Sequence, residues 1–108
     1  MATELLTHRG GSGRPLVLVH GLMGRGSTWP RQLPWLTQLG SVHTYDAPWH
    51  RGYDVDDPAP ISTERFVADL AEAVAALAEP AVLVGHSMGG LHSWCLAAGR
   101  PELVRALV

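Results

Sequence analysis

The sequence predicts an α/β domain, a parallel sheet with helices on both faces. Three observations carry this. Short apolar runs of strand length recur, most plainly at 16–19 and 81–84. Stretches of helical periodicity alternate with them, most clearly at 63–78. The runs are also continuously apolar, as strands covered on both faces by crossover helices must be. At 108 residues the chain suits one small domain, and 46% hydrophobic content is enough for a core.

The elements follow in order. Residues 4–7 form a short first strand, and 9–14 a Gly-rich hairpin turn. Residues 15–20 are a second strand, followed by a loop at 24–28. Residues 29–39 read as a helix interrupted by Pro34. Ser41–Tyr45 alternates and forms a third strand, and 46–60, rich in Pro, Asp and Gly, is a long loop. Ser62 is placed to cap a helix over 63–78. Phe66, Leu70, Val74 and Leu77 fall on one face of it, with Glu64, Arg65, Asp69 and Glu72 elsewhere. Pro80 ends that helix, 81–84 is a strand, and 91–98 lacks Pro and Gly and is a further helix. Residues 101–108 lead into another strand.

Composition excludes several classes. The net charge is −2, all eight basic residues are arginine, and there is no lysine, so neither nucleic acid nor an anionic membrane is an expected partner. Trp29, Trp35, Trp49 and Trp94 lack the basic groove that would make them a stacking platform for bases. No apolar stretch approaches the roughly 20 residues that span a bilayer. The N-terminus carries no secretion signal, so a cytoplasmic location is expected. Cys95 is the only cysteine, which precludes an internal disulfide. There is no His-Glu-x-x-His and no cysteine pair, so neither a metal nor a cofactor is expected.

The most informative stretch is Gly85-His86-Ser87-Met88-Gly89-Gly90. A buried strand meets a helix there through a sharp turn with Ser87 at its apex. Such a turn forces the serine into an unfavourable backbone conformation and crowds strand against helix, so only glycine fits two residues before and two after. The hydroxyl is thrust outward as a nucleophile, and the Met88 N–H beside it is half of an oxyanion site. The other half is expected from the next apolar run, which ends in His20-Gly21-Leu22-Met23-Gly24. The Leu22 N–H is the natural second donor. His20 is expected to pack and hydrogen bond this loop, and His20, Gly21, Met23 and His86 are the residues expected around substrate. A phosphate cradle is disfavoured, because no Gly-x-x-x-x-Gly-Lys-Ser/Thr is present.

These residues resemble the N-terminal half of the α/β-hydrolase superfamily. The features occur in that family's order: His20-Gly21 after a strand, Trp29 in the following helical region, the 46–52 segment Asp-Ala-Pro-Trp-His-Arg-Gly, the Ser87 elbow, and the 101–108 lead-in to a sixth strand. One departure is visible. The family usually has Gly-His-Gly after Asp-x-Pro, whereas Trp49-His50-Arg51 stands here, with two bulky side chains near the expected pocket mouth.

The resemblance implies a serine hydrolase acting on a carboxylic ester or related small-molecule acyl substrate. Acyl transfer, C–C hydrolysis and cofactor-free oxidation are alternatives on the same fold. Serine at position 87 argues against the dehalogenase and epoxide hydrolase branches, which use aspartate there. The family's acid and histidine lie beyond the fifth strand, so residues 1–108 are expected to be a partial domain. A catalytically incomplete fragment, lacking the triad acid and histidine, is the other reading.

None of the six histidines reads as the base. His86 is expected to point away from Ser87. His92 lies roughly 140° around the helix from Ser87. His50 borders the pocket from a loop, His43 is an edge or surface residue, and His8 lies by the first turn. The sheet is expected to stop at a nascent strand after Pro101, leaving the elbow strand without its outer neighbour and an apolar edge that invites aggregation.

Overall fold

β2 (Pro15–Val19) is the axis of the fold, and all five of its residues are buried. The computed structural model describes residues 5–51 and 61–108. Glu4 of the expected first strand and the end of the 46–60 loop, Gly52 included, lie outside them. The remaining elements are β1 (Leu6–Gly10), α1 (Leu33–Leu36), β3 (Ser41–Tyr45), α2 (Thr63–Ala75), β4 (Ala81–Gly85), α3 (Met88–Gly99) and β5 (Val104–Leu107). Single 3-10 turns lie at Gly26–Thr28 and Pro101–Leu103. Five strands form one sheet in the order β1-β3-β2-β4-β5.

The expected α/β class forms, with one strand reversed. β2, β3, β4 and β5 are mutually parallel, while β1 runs antiparallel to β3, so the sheet is mixed. The Gly-rich segment after β1 is therefore not a hairpin turn. β3 lies between β1 and β2, and the segment instead runs beside the start of β3, where the Arg14 carbonyl accepts the Ser41 N–H at 2.8 Å.

Alternation along β2 divides the core. Val17 and Val19 face α2 and α3, packing with Tyr45, Phe66, Leu70, Val74, Leu83 and Leu96. Leu16 and Leu18 face the other way, toward Leu36 and Val42, with Trp29 and Leu33 packed against them. The helix expected over 29–39 shrinks to the single turn of α1. Pro34 has no N–H to donate to the carbonyl four residues back, so it is tolerated only in a first turn, where it stands. α2 forms as expected, its Ser62 Oγ accepting the Arg65 N–H at 3.1 Å, and ends at Ala75, three residues short of the expected 78. α3 starts at Met88 without an intervening loop. β5 supplies the outer neighbour of β4 that was expected to be absent: Val108 N–H donates to the Leu83 carbonyl at 2.8 Å, and Gly85 N–H to the Val108 carbonyl at 2.9 Å.

From β2 the chain moves to β3 on one side, then crosses to β4 on the other. The loops leaving the carboxyl ends of β2 and β4 diverge at this switch, and such a point leaves a crevice. Among the described residues no helix is long and apolar enough to cross a membrane.

Candidate active site

The β4–α3 turn carries Ser87 at φ 55 and ψ −118, a left-handed backbone that a non-glycine residue adopts only at a cost. The surroundings hold it there. His86 N–H donates to the Val19 carbonyl at 3.0 Å, Gly89 N–H to the His86 carbonyl at 2.9 Å, and Leu91 N–H to the Ser87 carbonyl at 3.1 Å. The flanking glycines have no room for a side chain. A Cβ on Gly85 would lie 2.6 Å from the Gly90 Cα, and one on Gly89 only 2.1 Å from the Val19 carbonyl oxygen. Helix α3 therefore begins directly against the end of β2, and Ser87 is exposed at the apex.

The loop leaving β2 lies against this turn. A Cβ on Gly21 would sit 3.2 Å from the Ser87 Cβ. His20 is 1% exposed, and both its ring nitrogens are engaged: Nδ1 lies 2.8 Å from the Gly21 carbonyl and Nε2 3.0 Å from the Ala47 N. A carbonyl only accepts and an amide only donates, so His20 carries its proton on Nδ1 and is neutral. Burial pushes its pKa below the usual 6.5, aided by the nearby His50 and opposed by the Gly21 carbonyl and Asp46. His50 likewise has Nε2 3.0 Å from the Met23 N and Nδ1 3.0 Å from the Pro48 carbonyl. Asp46 accepts the Gly26 N–H at 2.5 Å and ties the far end of the loop to β3.

A cavity of about 330 Å³ opens beside the two turns, lined by His20, Gly21, Leu22, Met23, Gly24, Thr28, Trp29, Gln32 and His86. The expected site residues are thus gathered at one place. His20, Gly21, Leu22, Met23 and His86 line the cavity, while Ser87 and Met88 continue the turn from His86. His86 is exposed and its ring packs toward Gly21. Among the described residues, neither the Leu22 N–H nor the Met88 N–H has an acceptor, and the Ser87 hydroxyl has no partner.

No histidine stands ready as the base. His92 is buried and stacked on Phe66 with ring centroids 4.7 Å apart, and burial lowers its pKa, as does the proximity of His20. His43 pairs with His8 at 5.1 Å between centroids, on β3, which β2 separates from the elbow strand β4. Among the described residues no group of three or more His, Cys, Asp or Glu side chains could hold a metal. Sequence reasoning missed the contact between His50 and Met23 and the cavity wall formed by Thr28, Trp29 and Gln32. Position 50 was visible as the histidine between Trp49 and Arg51, the two positions where the family usually has glycine, and was expected only to border the pocket.

Comparison with known proteins agrees with this geometry. Over 97 residues the chain is 38% identical to a pimeloyl-[acyl-carrier protein] methyl ester esterase of Xanthomonas campestris pv. campestris (strain B100), covering 90% of this chain and 36% of that protein. Over 103 residues it is 33% identical to epoxide hydrolase 3 of Siraitia grosvenorii, covering 91% of this chain and 32% of that one. It therefore spans about a third of the length of these relatives. Among solved structures, a marine microorganism esterase superposes with a TM-score of 0.83 at 33% identity, over 94% of this chain and 39% of that one. The model of the alpha/beta hydrolase family matches residues 16–108. With its elbow between β4 and α3 and its sheet order around β2, the chain belongs to the alpha/beta hydrolase family.

Proposed function

We propose that these residues form the nucleophile and oxyanion side of a serine hydrolase site that takes a carboxylic ester or related acyl substrate. The observation that carries the reading is the left-handed Ser87, exposed on a turn whose glycines leave no alternative packing. Ser87 Oγ attacks the substrate carbonyl, and the N–H groups of Leu22 and Met88 receive the charge that develops on its oxygen. The tetrahedral intermediate collapses, the alcohol leaves with a proton, and water then releases the acid from the acyl-serine. Both proton transfers need a general base oriented by an acid. Among the described residues no base bonds to the Ser87 hydroxyl, so this reading assigns base and acid to sequence beyond these 108 residues.

Similarity extends to both an esterase and an epoxide hydrolase, so identity does not choose between ester and epoxide. Serine at position 87 favours the ester, because the epoxide hydrolase branch places aspartate there. Among the described residues the cavity wall contains no Arg, Asp or Glu, which favours an uncharged group in that part of the substrate. A second reading rests on the unpartnered hydroxyl: the elbow is formed but unarmed, and the chain alone is catalytically incomplete.

Intact-mass analysis after treatment with a fluorophosphonate separates the two. One adduct on the wild-type chain, absent from Ser87→Ala, supports an activated serine. No adduct on a folded chain supports the incomplete site. An adduct that persists in Ser87→Ala ends the serine-nucleophile reading.

A further inference from the structure

The three amides that follow Gly21 are committed differently. Gly24 N–H donates to the Gly21 carbonyl at 3.0 Å and closes the turn. Met23 N–H donates to the Nε2 of His50 at 3.0 Å, across 27 positions of sequence. Leu22 N–H has no acceptor among the described residues. We propose that His50 is a positioning residue for the oxyanion site: by taking the Met23 N–H, it leaves Leu22 as the uncommitted donor of these three amides. This rests on the serine hydrolase reading above.

The chemistry of the ring fits the task. The Pro48 carbonyl 3.0 Å from Nδ1 can only accept, so the proton is on Nδ1 and the Nε2 lone pair is directed to Met23. The ring is also held in place. His50 N–H donates to the Ala47 carbonyl at 3.0 Å, directly after β3. The ring centroid lies 5.1 Å from that of His20 and 6.3 Å from that of Phe66. Met23, its partner, has φ 67, so the loop stores backbone strain at the residue whose amide His50 accepts. An oxyanion site works because its donors are fixed before charge appears. Without His50, two adjacent amides would be free to turn toward the charge, and the loop would have to reorganise as the charge forms.

Amide hydrogen exchange followed by NMR on the whole chain tests this with wild type, His50→Phe and His50→Gln. Phenylalanine keeps an aromatic ring between His20 and Phe66 but offers no acceptor. Glutamine offers a carbonyl oxygen in the place of Nε2. The Met23 amide is expected to exchange on the order of five- to tenfold faster in His50→Phe, the loss of one hydrogen bond, and to return toward the wild-type rate in His50→Gln. The β2 amides serve as the control and are expected to keep their rates. Long-range nitrogen–proton spectra of the wild type are expected to find His50 protonated on Nδ1. Unchanged Met23 exchange in His50→Phe, or a wild-type ring protonated on Nε2, overturns the assignment. Should His50→Phe not fold, the ring tautomer and the His50→Gln rate decide alone. The two readings fail separately, since Ser87 labelling reports on the nucleophile and Met23 exchange on His50.

Discussion

A single methyl group distinguishes the two glycines that follow Met88. On Gly89 it would meet the Val19 carbonyl oxygen at 2.1 Å, while on Gly90 its nearest neighbour is 3.6 Å away. Gly89→Ala is expected to destabilise the fold by about 3 kcal/mol, the cost of overpacking against backbone that cannot move aside. Gly90→Ala, in the first turn of a helix with room to spare, is expected to stabilise by roughly 0.5–1 kcal/mol. Urea denaturation of both variants checks the contrast. Protons act at the same scale. Burial lowers the pKa of His20, His43 and His92 below 6.5, with neighbouring histidines adding to the effect. The unfolded chain therefore binds protons that the folded chain refuses. The stability these rings contribute is complete above 6.5 and is lost as pH falls through their lowered values. The urea midpoint is expected to drop between about pH 7 and pH 5, and a flat midpoint over that range contradicts the neutral assignment. Ser87 and its glycines were legible in the sequence because the strain is local and only certain residues tolerate it. The partnership of His50 with Met23 was not, because they stand 27 positions apart, with α1 and β3 between them, and no periodicity links them.

Helix α2 is held by features of both kinds. Its Ser62 cap could be read directly, since a serine before an amphipathic run has one obvious use. Ser62→Ala is expected to cost about 1 kcal/mol, measurable as a lowered thermal midpoint. The tie between α2 and β3 could not be read. Asp69 accepts from the Tyr45 hydroxyl and pairs with the Arg51 guanidinium, in a site where the ionic side chains are 9% and 12% exposed. Burial and the Asp69 charge push the Tyr45 pKa upward, so the hydroxyl remains a donor. Asp69→Ala leaves a buried cation and a buried hydroxyl without that partner, and is expected to cost about 3 kcal/mol in chemical denaturation. Asp69 was placed only off the apolar face of the helix, a reading of spacing that is silent about its neighbours and about its near burial. Two other elements were misread for physical reasons. Glycines before β2 suggested a hairpin, although their strand pairs with β3, and the apolar run around Pro34 suggested a helix that the missing N–H limits to one turn.

At the scale of the molecule, the family was legible because its marks fall in a fixed order along the chain, and substrate was not, because most of the length of the relatives lies outside it. Several large apolar side chains remain exposed, among them Leu91 and Trp94 on α3 and Leu107 and Val108 at the end of β5. Exposed apolar surface beside an unpaired strand edge favours association. Sedimentation velocity is expected to find the chain self-associating as its concentration rises, and Trp94→Glu to reduce this; a monomer at every concentration contradicts it. The reversed first strand has a different consequence, for the order of assembly. Among the described residues β1 pairs with the sheet through β3 alone, and the strand ladder continues from β3 to β2. β1 therefore has no strand to pair with until β3 is in place. The four parallel strands, β4 and its serine turn included, pair with one another without using β1, so a change confined to β1 is expected to leave the ladder beneath the serine in place.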